Sequence, residues 1–374
     1  MDNQTEIINT VKLLIYKENP SLLEKVDFED DNIFLEPLLF AYFNSKKDNL
    51  FAAEMLTEIL QGYFVEKEAL QVQNSLGKDG IAYIPNMGYF NSQNEKVEEI
   101  LKIDAFEIVK TCHPVMKKYF VEYYKGHILD STPPHNPTWQ NYYKELEEAI
   151  CIIKENLPSF YSELVSSNNK IYLHDNPKII NFTTIETLGM LYLYVIGDNN
   201  LIYFIEELIH QGSHNFLCYV THNRKDYFKI DVDNTVMRSL TGQEWDYRTV
   251  YGSFHGLFTV TQRVECFDIL LSKDVFSGRE KHELLGRLAD QFLRFRTGLE
   301  LIDLEGVFTD KGIKYYKSLD EKCMKILQKY DSLRDEFDLS HRDLDFRYND
   351  FCMTNSYNEF LKKDKKGIYN FLIN

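Results

Sequence analysis

Through the first hundred residues apolar side chains recur at three- and four-residue spacing, which predicts helices over 6–17, 33–44 and 51–64. Residues 80–85, Gly-Ile-Ala-Tyr-Ile-Pro, read as extended, as does the start of the stretch after Lys102. A connection at 131–138 holds three of the nine prolines and marks a boundary or long loop, and a helical pattern then runs from 140 to about 163. From Lys178 the period shortens. Residues 179–184 and 189–195 are rich in β-branched and aromatic side chains and predict a pair of strands. Asp198, Asn199 and Asn200 supply a helix start, and helical spacing continues over 201–219 with Ile202, Ile205, Ile209, Phe216 and Val220 as its stripe. After a loop carrying Asp231, Asp233, Trp245 and Asp246, helices are predicted over 254–271, 280–301 and 310–330. The tail from Arg334 has no assignable period, and no internal repeat or low-complexity segment is present.

These elements predict a mainly α chain with a small antiparallel β-sheet, an α+β fold in which helix 201–219 packs on the sheet. Three regions are expected: a helical N-terminal region, 1–130, suited to binding a peptide; a catalytic domain, 139–333; and a polar C-terminal tail, 334–374.

Composition narrows the function classes. Hydrophobic residues make up 44% and charged residues 27% of the 374, the balance of a folded globular protein. The 25 Tyr and 26 Phe favour tight packing and provide material for a groove that takes a peptide or small molecule. With 58 acidic against 42 basic residues the net charge is −16, and the densest basic cluster is Lys362-Lys363-Asp364-Lys365-Lys366. Nucleic acid is therefore not expected as a partner, because phosphate neutralisation supplies most of such affinity. The longest nearly apolar run, 188–197, is too short to span a membrane, and the N-terminus lacks the basic start and apolar core of a signal peptide. Six cysteines are scattered without a C-x-x-C pair, as in a reduced compartment. A soluble cytoplasmic protein is expected, and a homo-oligomer is compatible with this composition.

The residues that carry chemistry are His210-Gln211-Gly212-Ser213-His214. Two histidines at i and i+4 project from one helix face, so both imidazoles can bind a single ion. The spacing is that of H-E-x-x-H, with Gln211 where the acid of a zinc peptidase would take a proton from metal-bound water. An amide has no such basicity, and losing a positioned base costs about 10²–10⁴ in rate. Chemistry that needs two cis ligands, open positions and no protein base fits better, and iron(II) activating O₂ leads that class. His255, between Gly252 and Gly256 at the start of an apolar helix, is the candidate third ligand, with Glu244 and Asp246 as carboxylate alternatives. Arg248 and Arg263 are placed to hold the distal carboxylate of a 2-oxoglutarate cosubstrate. Gln211, Trp245 and Asp246 are candidates for the shell around the metal.

From 181 to 319 the chain resembles the H-E-x-x-H-motif peptide-modification proteins, the 2-oxoglutarate-dependent peptide β-hydroxylases encoded beside small ribosomally made precursor peptides. The resemblance rests on Thr187-Leu188-Gly189, the run from Glu206 to Asn215, Trp245 followed by Arg248, the Gly252-Ser253-Phe254-His255-Gly256 segment, and Phe308-Thr309-Asp310-Lys311-Gly312. It implies His210, His214 and His255 as metal ligands and Arg248 or Arg263 beside the cosubstrate. It also implies iron(II) and 2-oxoglutarate as cofactors and a precursor peptide, hydroxylated at a β-carbon, as substrate. Gln211 departs from the family motif. Two other readings stand beside this one: a zinc hydrolase with Glu244 as third ligand, and a non-catalytic peptide-binding protein.

Overall fold

Proline and short polar caps decide where the N-terminal helices begin and break. In the computed structural model, which describes residues 3–45, 52–124, 127–130, 138–197, 199–340 and 346–371, α1 (Asn3–Glu18) is followed by α2 (Ser21–Lys25) directly after Pro20. The side chain of Asp30 accepts from the Asn32 backbone N–H and starts α3 (Asp31–Phe34). Pro37 opens α4 (Pro37–Ser45), so the helix predicted over 33–44 is two helices. α5 (Glu54–Leu60) completes the group. The helix predicted over 140–163 is likewise broken at Pro158 into α6 (Thr138–Asn156) and α7 (Pro158–Ser167). The proline-rich connection at 131–137 and the helix-start residue Asp198 lie outside the described residues.

Strands β1 (Ile81–Ile84), β2 (Gly88–Asn91) and β3 (Lys96–Glu98) form an antiparallel meander. β4 (Leu101–Ile103) and β5 (Phe106–Val109) make a hairpin, and β6 (Val121–Tyr124) pairs with β7 (His127–Asp130). A four-stranded mixed sheet runs in the order β4-β5-β8-β9, with β8 (Lys170–His174) and β9 (Met190–Tyr194) parallel to each other and β8 parallel to β5. The hairpin predicted from 179–195 is therefore corrected. Residues 179–184 contribute a single bridge, Phe182 to Tyr192, where the two rings stack at 4.2 Å, and the strand partner of β9 is β8. The fold class is mainly α with small β, an antiparallel sheet and a mixed one.

All five residues of β8 are buried, as expected of a central parallel strand. One of them is Lys170. Its ammonium donates to Tyr83 Oη at 2.8 Å and sits 3.0 Å from Glu107 and 3.2 Å from Glu36. Tyr63 donates to Glu36 at 2.5 Å and Tyr83 to Glu107. Burial alone would lower the Lys170 pKa, but Glu36 and Glu107 outweigh it and raise the value.

The chain divides into two units, Met1–Glu147 with Val165–Gly197, and Glu148–Leu164 with Asp198–Asn374. The division differs from the expected boundaries: the strands at 170–194 belong to the first unit and the residues beyond 334 to the second. Among the remaining helices are α8 (Leu201–Val220), α9 (Arg238–Thr241), α10 (Val250–Ser272) and α11 (Gly278–Arg294). They continue with α12 (Leu304–Val307), α13 (Asp310–Lys329), α14 (Leu333–Glu336), α15 (Tyr348–Thr354) and α16 (Tyr357–Asp364). The mixed sheet lies in one unit and α8 in the other; within its own unit α8 packs on α10 and α11. Among the described residues no helix is long and apolar enough to cross a membrane.

Candidate metal centre

Helix α8 starts where the sequence places it. The Asn200 side chain accepts from the backbone N–H of Ile202 and Tyr203, and no proline interrupts the run that follows. Fifteen of its twenty residues are buried, so α8 is a core helix and not the one-striped surface helix that its apolar spacing suggests. His210 and His214 are among the exceptions, half-buried one turn apart. Helix α10 begins earlier than predicted, capped by Thr249 Oγ1, which accepts from the Gly252 N–H at 3.0 Å. His255 therefore sits in the second turn of a helix, not at its entrance.

The flanking glycines are not needed for close backbone approach. A Cβ at Gly256 would meet nothing within 4 Å, and one at Gly252 would meet only the Thr249 hydroxyl. Gly256→Ala is accordingly expected to stabilise the protein by about 0.5–1 kcal/mol through the unfolded chain's lost freedom, a gain that chemical denaturation would register. A loss of stability in that variant would mean that the space beside Gly256 is needed.

α8 and α10 run antiparallel, with His214 against His255 at one level and Glu206 against Arg263 two turns along. His210 Nε2 lies 3.3 Å from His214 Nε2, and His214 Nδ1 lies 2.7 Å from His255 Nδ1. On the other side of His210, the Gln211 amide nitrogen is 3.3 Å from His210 Nδ1 and 3.1 Å from Glu207 Oε2. Each imidazole nitrogen in these contacts can donate or accept according to its tautomer, and one arrangement satisfies all of them. Gln211 donates to Glu207 and to His210 Nδ1, so His210 carries its proton on Nε2 and donates it to His214. His214 in turn donates from Nδ1 to His255. The last proton, on His255 Nε2, is buried without a hydrogen-bond partner.

Burial pushes all three imidazoles well below their ordinary range. Arg263 adds to this at His210, His210 at His214, and His214 together with Arg224 at His255. The rings are neutral at pH 7, the state that offers a lone pair to a metal.

Imidazole nitrogens held about 2.0–2.1 Å from one ion at tetrahedral angles stand about 3.3–3.4 Å apart. The Nε2 pair of His210 and His214 has that separation, so these two rings fit a shared ion. For both lone pairs to face it, the His210 proton must move to Nδ1, and rotation of the Gln211 amide presents its oxygen to accept there. His255 stands beside the pair. It meets the Nδ1 edge of His214 at 2.7 Å, the edge away from the Nε2 pair, a contact that can orient that ring. Among the described residues no group of three or more His, Cys, Asp or Glu side chains is gathered to hold a metal. The pair that a metal could share is therefore His210 and His214.

Neither arginine singled out in the sequence is without a carboxylate. Arg263, buried, donates to Glu206 at 3.1 Å, and Arg287 from α11 donates to the other oxygen of the same group. Burial alone would raise the Glu206 carboxyl, but Arg287 and then Arg263 overcome it and hold it down to about 2. Arg287 continues to Glu283 at 2.7 Å, which accepts from Asn200 at 2.7 Å, so the cap of α8 joins the same network. Arg248 donates to Asp246 at 2.8 and 2.6 Å and to the Thr297 carbonyl at 2.9 Å. Asp246 is 1% exposed whereas Arg248 keeps 41% of its side chain in solvent, so only the arginine has an edge left for a ligand. Glu244 is exposed, and so is Trp245, at 63%.

Three groups escaped the sequence reading. Burial pushes Glu207 up to about 7, with Glu206 adding to the effect; it precedes His210 by three positions, a spacing that could have flagged it. Arg287 lies 81 residues from its partner Glu206, and nothing local marks it. Arg224 stacks 3.6 Å above the Tyr251 ring, and that ring packs 4.3 Å from His255. No family model and no curated protein matches the chain.

Proposed function

We propose that the chain is an iron(II)- and 2-oxoglutarate-dependent oxygenase that hydroxylates a residue of a ribosomally made precursor peptide, at the β-carbon, in the cytoplasm. The observation that carries this reading is the His210–His214 pair, with Nε2 atoms 3.3 Å apart and an amide at the position of the peptidase acid. That amide bonds Glu207 and the Nδ1 edge of His210, away from the side on which an ion would sit. Among the described residues no carboxylate joins the two histidines as a metal-binding group, which disfavours hydrolysis and suits O₂ chemistry. Iron bound there supplies the O₂ activation. The protein's own part is to keep both Nε2 lone pairs aimed at one point. His255 holds the Nδ1 proton of His214, and Gln211 takes that of His210.

Of the two arginines, Arg248 is assigned to the cosubstrate's distal carboxylate, because it alone keeps an exposed edge. Anaerobic titration of the iron-loaded protein with 2-oxoglutarate should produce a weak visible absorption. Arg248→Ala should weaken binding by about 1 kcal/mol, the range for a charge pair that stays partly in solvent. Wild-type protein that binds iron but shows no 2-oxoglutarate signal would end the oxygenase reading.

One observation favours a second reading. Hydrogen bonds link Glu207, Gln211, His210, His214 and His255 side chain to side chain, as in a peptide-binding protein that does no chemistry. Purified protein that takes up neither iron nor zinc would establish that alternative, whereas zinc with peptide cleavage would favour a hydrolase.

A further inference from the structure

The second unit contains a cavity of about 300 Å³ that the histidine site does not use. It is walled by the junction of α6 and α7, by Phe216 of α8, by the middle of α10 and by α13. Three rings form one wall. Phe216 and Phe258 stack with centroids 6.4 Å apart, and Tyr315 lies 6.5 Å from Phe258. Charged groups line it as well: Glu163 accepts from Gln262 at 3.2 Å, and Glu265 pairs with Lys322 at 3.0 Å. Two carboxylates against one ammonium leave the lining with a net charge of −1.

We propose that this cavity binds an organic cation carried on an apolar stem, and that in the working protein this is a lysine or arginine side chain of the substrate peptide. Aromatic faces attract cations through their quadrupole, more strongly where water is excluded, and the stem packs on the same rings. An anionic ligand would add a third negative charge beside Glu163 and Glu265. A purely apolar ligand would bury those carboxylates without a new partner, which is unfavourable. Burial already pushes the Glu163 carboxyl above its usual range, against the Gln262 hydrogen bond, so a cation there relieves an existing penalty. Lys322 is a built-in competitor for Glu265. The cation preference stands on the cavity alone; its assignment to a peptide side chain rests on the function proposed above.

Calorimetric titration of the full chain with n-hexylammonium, n-hexanol and hexanoate tests the preference. Hexylammonium should bind, hexanol at least about tenfold more weakly, a factor equivalent to 1.4 kcal/mol, and hexanoate not measurably. Glu163→Gln and Glu265→Gln should each weaken hexylammonium, and Lys322→Met should tighten it. Chelator-stripped protein should bind it unchanged, so a failure of the metal reading leaves this result standing. Hexanol or hexanoate binding as tightly as hexylammonium would overturn the proposal. So would hexylammonium binding that is indifferent to both glutamine variants. An acetyl-Gly-Lys-Gly-amide arm separates the sources: tighter binding than the free amine supports the peptide side chain, and weaker binding overturns that part in favour of a small amine.

Discussion

Replacing His210 or His214 with alanine should remove tight metal binding and leave the fold in place. Each ring supplies one of the two Nε2 atoms that stand 3.3 Å apart, and among the described residues no third protein ligand is gathered to retain the ion once one is lost. Both rings are half-buried on a helix held by Ile202, Ile205, Leu208, Ile209 and Leu217, so truncation removes little of its packing. His255→Ala should behave differently. As an orienting partner on the far edge of His214 it should cost about 10–100-fold in metal affinity, the range for lost outer-shell contacts. Metal analysis after equilibration with a weak chelator, alongside circular dichroism, separates the three variants. Full occupancy in His210→Ala or His214→Ala would remove the ligand assignment, and complete loss in His255→Ala would restore that residue as a ligand.

Glu206→Ala should destabilise the protein by about 3–5 kcal/mol, because it leaves Arg263 and Arg287 buried without their shared carboxylate. The loss falls between three helices at once, since Glu206 is on α8, Arg263 on α10 and Arg287 on α11. Acid should act in the same direction. The Glu206 carboxyl is held down to about 2 from an ordinary 4.5, so the folded state binds fewer protons than the unfolded one in that window. Its contribution is complete above the ordinary value and is lost as pH falls through about 2. Urea denaturation of wild type and variant at neutral pH and near pH 3 measures both effects. A difference under about 1 kcal/mol at neutral pH would mean that the three-helix network is not what holds α8.

How much of this was legible in the sequence depended on range. Helix α8, its Asn200 cap and the one-turn spacing of His210 and His214 are local features, and the structure has them where the spacing puts them. Helix α13 begins at Asp310, as its period predicts. The partner of β9 was not legible. Parallel pairing joins Lys170–His174 to Met190–Tyr194 across a crossover, and no turn signal marks such a link, whereas the neighbouring run around Phe182 imitated a hairpin. The arginines show the same limit. Arg248 and Arg263 looked available because Asp246 and Glu206 could have pointed anywhere; only the packed helices turn those carboxylates onto them. For His255 the structure adds which ring edge of His214 it meets, a distinction that no spacing rule contains.

The ammonium buried in β8 bears on which strand alignment the chain can adopt. Ile171, Tyr172 and Leu173 are buried on both faces of the sheet, so hydrophobicity alone would accept a strand displaced by one residue. Lys170 would not. In the observed register it lies opposite Glu107 and within reach of Glu36 and Tyr83. A one-residue slip would put Ile171 among those carboxylates and carry the charge to the opposite, apolar face. Such a misalignment strands two acids and an ammonium away from water, each at a penalty of several kcal/mol. The cluster thus discriminates among near-equivalent pairings of an otherwise greasy strand. Substituting apolar residues for all three charges should relax that discrimination even where it leaves the folded state equally stable.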